Sequence, residues 1–210
     1  MTREQNGYAD HVYRSVPGLV GGGLLLFLVV LLTGDGALSG EGRVRWISLA
    51  ALLFLAPLIV AFSLRPAVYA GSERLRVRNP FRTITLPWAS VEDVRASYST
   101  EVFAADGAKY QMWAIPVSLR QRKRAARQRG GGGRTTAPAV FGGGKGPGGG
   151  GDQNGYRPQA DQAVEEIRAL AERHASAEAA QGVPAVRWAY EILVPAAVGG
   201  LALLLLLLLG

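Results

Sequence analysis

The chain has 210 residues, a formal net charge of +7 and no cysteine. The missing cysteine excludes a disulfide framework and a thiolate metal site, and His11 and His174 are too far apart in sequence to suggest a paired metal site. Hydrophobic residues make up 49% of the chain and gather into three long runs, which points to an integral membrane protein rather than a soluble domain.

The first fifteen residues balance Arg3 and Arg14 against Glu4 and Asp10. Two apolar runs follow, at 16–33 and 46–64. A spanning helix needs roughly 20 apolar residues to cross a hydrocarbon core about 30 Å thick, so these runs predict a transmembrane hairpin. Gly18 and Gly22 have the spacing that permits close helix approach. Ala37 and Ser39 imitate a signal-peptide cleavage site, but two acids precede the run and a second apolar run follows closely, which argues against cleavage.

Residues 65–118 read as a small β domain. In Arg74-Leu-Arg-Val-Arg78, strand alternation puts Leu75 and Val77 on one face and three arginines on the other. Asn79-Pro80 signals a turn, and Thr83 to Trp88 is rich in β-branched and aromatic residues. Asp106-Gly107 between apolar segments predicts a hairpin. Five or six short antiparallel strands result, with Leu75, Val77, Leu86, Trp88, Val94 and Trp113 expected in one core.

Residues 119–157 read as a basic and glycine-rich linker or loop. Seven cations and no acid lie in 120–134, and thirteen of the 26 residues from Gly130 to Gly155 are glycine. Gly142 to Gly146 imitates a phosphate-binding loop, but Lys145 is followed by glycine rather than Ser or Thr, and no strand–helix frame surrounds it. An amphipathic helix is expected over 158–181, with Val164, Ile167, Leu170, Ala171 and His174 forming one stripe at three- and four-residue steps. The last apolar run, 186–209, predicts a third transmembrane helix. Trp46, Trp188 and Tyr190 fall at span ends, where aromatic rings prefer the interface, and Glu191 is expected to reach the same level.

Arg65-Pro66, Gly71-Ser-Glu-Arg-Leu-Arg-Val-Arg-Asn-Pro80, Thr85-Leu-Pro-Trp88, Val91 with Val94, and the Asp106-Gly107 hairpin leading to Trp113-Ala114 resemble a known group. These are the bacterial pleckstrin-homology-like domains of membrane proteins, of the low-molecular-weight protein antigen 6 type. The resemblance covers about residues 65–118. It implies a curved antiparallel sheet closed by a C-terminal helix, with no catalytic residues and no general ligand. The expected fold class is therefore membrane α-helical with three spans, plus a small antiparallel β PH-like domain. Either 158–181 or 118–129 could supply the closing helix; the former offers the larger apolar stripe.

Residues 65–134 carry fourteen cations against five acids, a net +9. Lys and Arg near spans stay in the cytoplasm. This places the N-terminus and the PH-like domain inside, the loop 34–45 outside and the C-terminus outside, in a multi-pass plasma-membrane protein. Arg74, Arg76, Arg78 and Arg82 on the sheet, with Arg120, Arg122, Lys123, Arg124, Arg127 and Arg129 beyond it, are candidate contacts for anionic lipid. A solvated strand face and a topology signal are the competing readings. No aromatic residues interleave the basic run, which argues against nucleic acid. The sequence offers no nucleophile–base pair, carboxylate dyad or metal cluster, so no catalytic residue, metal or cofactor is assigned. It reads as a non-enzymatic module for membrane lipids or for a membrane or cytoplasmic protein partner. The alternative is a structural or accessory subunit of a larger membrane complex or transporter.

Overall fold

A computed structural model of the protein describes residues 11–117 and 159–209. The chain opens with strand β1 (His11–Tyr13) and helix α1 (Val16–Leu38). Ser15 caps α1 by accepting a hydrogen bond from the Gly18 N–H, and Pro17 occupies the first turn, where no N–H is needed. Helix α2 (Arg43–Ile59) continues through one π-helical turn, Val60–Leu64. Six strands follow: β2 (Ala67–Ala70), β3 (Arg74–Arg78), β4 (Arg82–Pro87), β5 (Val91–Ala96), β6 (Thr100–Ala104) and β7 (Lys109–Gln111). After 117 the description resumes with α3 (Gln159–His174), then β8 (Ala185–Trp188) and α4 (Tyr190–Leu208).

Among the described residues, three helices are long and apolar enough to cross a membrane: Val16–Leu38, Arg43–Leu64 and Tyr190–Leu208, with mean hydropathies of 2.3, 2.5 and 2.4. Two boundaries differ from the sequence expectation. Helix α1 runs on through Gly34-Asp-Gly36, because Gly36 lies against the Ser48 side chain and the Ser39 N–H reaches the Asp35 carbonyl. Residues 186–188, expected in the third span, belong instead to β8, which pairs with β4. Helix α2 packs against both α1 and α4. Gly199 makes the second contact close: a Cβ there would lie 2.5 Å from the Phe54 backbone nitrogen. Gly22 packs directly on Ser63, so this glycine serves packing within the chain.

The strands form two antiparallel sheets, one ordered β1-β2-β3-β4-β8 and the other β5-β6-β7. Strand β1 pairs His11 with Ala70 and Tyr13 with Val68; β8 pairs Val186 with Ile84. Both edge strands were missed in the sequence. The β6–β7 hairpin turns at Asp106-Gly107, with Gly107 at φ 82°. Helix α3 packs on β5 and on the short 3-10 turn Trp88–Ser90, burying Ala160, Ala163, Val164, Ile167, Leu170 and Ala171 in the same core as both sheets. Trp88 is fully buried, and its Nε1–H donates to the Gly71 carbonyl at 2.9 Å. Leu75, Val77, Leu86 and Val94 join it. Trp113 does not: it is 47% exposed, and Met112 and Ala114 on either side point inward instead.

Candidate functional site at the junction of sheet and helices

Strands β1, β2 and β8 each adjoin one of the three long apolar helices. Arg14-Ser15 join β1 to α1, Arg65-Pro66 join the π turn to β2, and Ala189 alone joins β8 to α4. The β3–β4 turn, Asn79 to Phe81, lies at the same end of the sheet. Phe81 packs against Ala61, Ala189 and Ile192, between the end of α2 and the start of α4. Its carbonyl accepts from the Ala189 N–H at 2.8 Å. Phe62 meets Phe81 edge-on at 5.2 Å and Trp113 at 5.7 Å, which gives Trp113 its place outside the core.

Arg65 ties this junction together. Its side chain is 9% exposed. It donates to Glu191 at the head of α4 at 2.7 Å, to the Asn79 carbonyl at 3.3 Å and to Thr83 Oγ1 at 3.4 Å. Buried Asn79 donates in turn to the Gln111 carbonyl at 2.7 Å, pinning the end of β7 to the β3–β4 turn. At the far end of the helices, Arg43 donates to the Leu206 carbonyl at 2.6 Å, placing a cation on the negative end of α4.

The five-stranded sheet turns Leu75 and Val77 into the core and Arg74, Arg76 and Arg78 outward. Register places Tyr69 and Thr85 beside Arg76, and Thr83 beside Arg78 with Arg187 on the far side of Thr83. Arg14 closes over this face, donating to the Tyr69 hydroxyl at 2.7 Å, and Arg78 approaches the same oxygen at 3.4 Å. Burial alone would raise the pKa of Tyr69, but these two guanidinium groups outweigh it and hold the hydroxyl below its ordinary 10.0. Arg74 pairs with Glu73 at 2.6 Å. On the other side of β1, Tyr13 donates to Glu166 of α3 at 2.7 Å; burial, then that carboxylate, pushes its pKa above the ordinary value.

Of the cations singled out in the sequence, Arg74, Arg76 and Arg78 share one face. Arg82 does not: the Asn79–Phe81 turn reverses the alternation, so Arg82 has the core-side parity of Ile84 and lies over the Tyr110 ring at 5.8 Å. Arg120, Arg122, Lys123, Arg124, Arg127 and Arg129 lie outside the described residues, as do the glycine-rich stretch and Lys145. Arg14, Tyr69 and Arg187 were not anticipated. The signal for two of them was faint: short β-prone segments, His11-Val-Tyr and Ala185-Val-Arg-Trp, directly before apolar helices. Among the described residues no group of three or more His, Cys, Asp and Glu is placed to hold a metal ion.

Residues 65–136 match the family described as the bacterial PH domain. This part of the chain is a bacterial PH-like domain. The match runs past 118, the boundary expected from the sequence, into the basic run. No curated protein and no solved structure matches the chain. PH domains are non-catalytic interaction modules that commonly bind lipids or proteins. Here the PH-like sheet is completed by two strands, β1 and β8, that lie outside the matched residues.

Proposed function

We propose that the chain is an integral membrane protein that fixes a PH-like domain at the cytoplasmic face as a non-enzymatic docking module. Its outward sheet face, with Arg76, Arg78 and Arg187, meets the anionic leaflet. One observation carries this reading: three strands of a single sheet run into three candidate spans through connections of two, two and one residues. Such short connections support a domain held at the membrane surface rather than one swinging on a tether. Arg14, Arg65 and Arg187 all lie at the domain end of the spans, which favours a cytoplasmic domain. Arg43 and Arg45 lie at the other end and count against it, but Arg43 is engaged by the Leu206 carbonyl.

Alkaline phosphatase fused after Gly155 should be inactive, and fused after Gly210 it should be active. The reverse pattern would invert the topology. The lipid contact is tested on the full chain in nanodiscs. Because the sequence has no cysteine, Thr85→Cys, between the outward arginines, can carry a single spin label. The label should lose mobility as anionic lipid is added and regain it at high salt, since exposed charges are screened over about 8 Å at physiological ionic strength. Mobility independent of lipid charge would remove the lipid part of this function and leave a protein partner.

A further inference from the structure

A cavity of about 830 Å³ lies where the PH-like domain meets α1. The fold brings three segments together to line it: the β1–α1 junction with Arg14, Ser15 and Val16, the stretch after β7 with Ile115 and Val117, and the first turns of α3 with Ala163. Most of the lining is carbon. Arg14 is its one charged residue among those described, and no carboxylate contributes to the walls. The Arg14 guanidinium is steadied by the Tyr69 hydroxyl at 2.7 Å. It has five N–H donors, so it can take a further acceptor without releasing Tyr69.

The cavity continues toward the helices. Val16 belongs to its lining, and Val20 and Leu24 follow at four-residue steps on the same face of α1. These three are exposed at 66%, 69% and 61%, so an apolar track descends from a site holding one cation. A molecule that fits both parts is an amphiphile with one negative charge near its polar end. Free phosphate would leave the carbon walls facing water. A neutral lipid would offer no net charge to Arg14.

We propose that this cavity binds the headgroup and glycerol region of one anionic phospholipid, with its phosphate on Arg14 and its chains along Val16, Val20 and Leu24. The inference rests on α1 spanning a bilayer, as proposed above. It differs from the outward sheet face in kind: the cavity is a single site at the free edge of β1, whereas the open face gathers headgroups by charge alone.

The test uses full-length protein in mild detergent, offered phosphatidylglycerol, phosphatidylcholine or glycerol 3-phosphate, with retention read by native mass spectrometry. One phosphatidylglycerol per chain should be retained, preferred over phosphatidylcholine by a few-fold, since both bring a phosphate to Arg14 but the choline cation of the latter is repelled by the guanidinium. Glycerol 3-phosphate should be lost. Arg14→Gln should remove the preference, and Lys109→Gln, a charge removed elsewhere on the surface, should keep it. Val117→Trp, filling the cavity from its rim, should release the lipid; Ala163→Leu is the smaller filling if that variant does not fold. A photo-crosslinker placed at Val117 should capture lipid. Equal retention of both lipids, firm retention of glycerol 3-phosphate, or unchanged binding by Arg14→Gln and the filling variants would overturn the site. So would a crosslink to another part of the chain or to a protein. The reporter fusions can still give the expected topology in each of these cases, so the two proposals fail separately.

Discussion

Trp88 offers the sharpest test of the domain core. It sits at the corner between the two sheets, beneath α3, with none of its surface exposed. Removing a buried tryptophan side chain to alanine costs about 3–5 kcal/mol through lost burial and the cavity left behind. The indole also satisfies the Gly71 carbonyl, and a buried acceptor left without a donor costs about 1–3 kcal/mol. The two costs overlap, because a cavity of that size admits water that can serve Gly71, so Trp88→Ala should fall near the top of the first range rather than at the sum. Trp88→Phe keeps much of the ring and loses the donor, and should cost about 1–3 kcal/mol. Full-length protein in mild detergent, titrated with urea and probed by brief proteolysis of the domain, reports both losses. A loss below about 1 kcal/mol for Trp88→Ala, or equal losses for the two variants, would refute the argument that burial and the Gly71 bond act as separate contributions.

Gly199→Leu should break the packing of α2 on α4 and expose α4 to protease, since even a Cβ would collide with the Leu53–Phe54 backbone; Gly23→Leu, where nothing lies within 4 Å, should be tolerated. Arg65→Ala should destabilise the chain more than Glu191→Ala, because Arg65 also serves Asn79 and Thr83 while the Glu191 side chain is 63% exposed. The coupling of that pair in a double-mutant cycle should stay below about 1 kcal/mol, because water screens the exposed Glu191 carboxylate. Burial acts to raise the Asp93 pKa, but Arg95, the Val94 N–H and Arg168 outweigh it and hold the carboxyl below its ordinary 3.8. On acidification the unfolded chain therefore takes up the proton first, so the contribution of Asp93 is complete above roughly pH 4 and disappears as pH falls through the folded value. Acid unfolding should be steeper for the wild type than for Asp93→Asn in that window.

Length and apolarity were enough to find the three long helices, and period-two alternation found the strands from 66 to 117. The failures came where alternation depends on a turn. In Tyr110-Gln-Met-Trp-Ala-Ile115 either parity is apolar, and the bulk of Trp113 suggested the wrong one. The hairpin register decides it: buried Val102 stands opposite Tyr110, which turns the even positions inward and buries Met112. A one-residue change of register would exchange the two faces. Arg82 illustrates the same dependence, since three turn residues separate it from Arg78 and reverse its side. Strands β1 and β8 were hidden for another reason. They have three and four residues, too few to show a period, and their partners lie far away in sequence at Val68 to Ala70 and Arg82 to Thr85.

These two strands change what the junction can do. A domain joined to the spans only at Arg65 would be tethered, and a tethered domain reaches its target by raised effective concentration. With β1 and β8 in the sheet, the three long helices instead enter one sheet at three positions. The one-residue connection at Ala189 leaves little slack, and the Ala189 N–H is itself bonded to Phe81. A shift of α4 against α2 must therefore move β8 or the Phe81 turn, or break the Arg65–Glu191 contact. The orientation of the arginine face is then set by helix packing at Gly22 and Gly199 rather than by diffusion of a free domain. Any partner that rearranges the helices would be felt at the sheet, and any ligand that grips the sheet would bias the helices by the same coupling free energy.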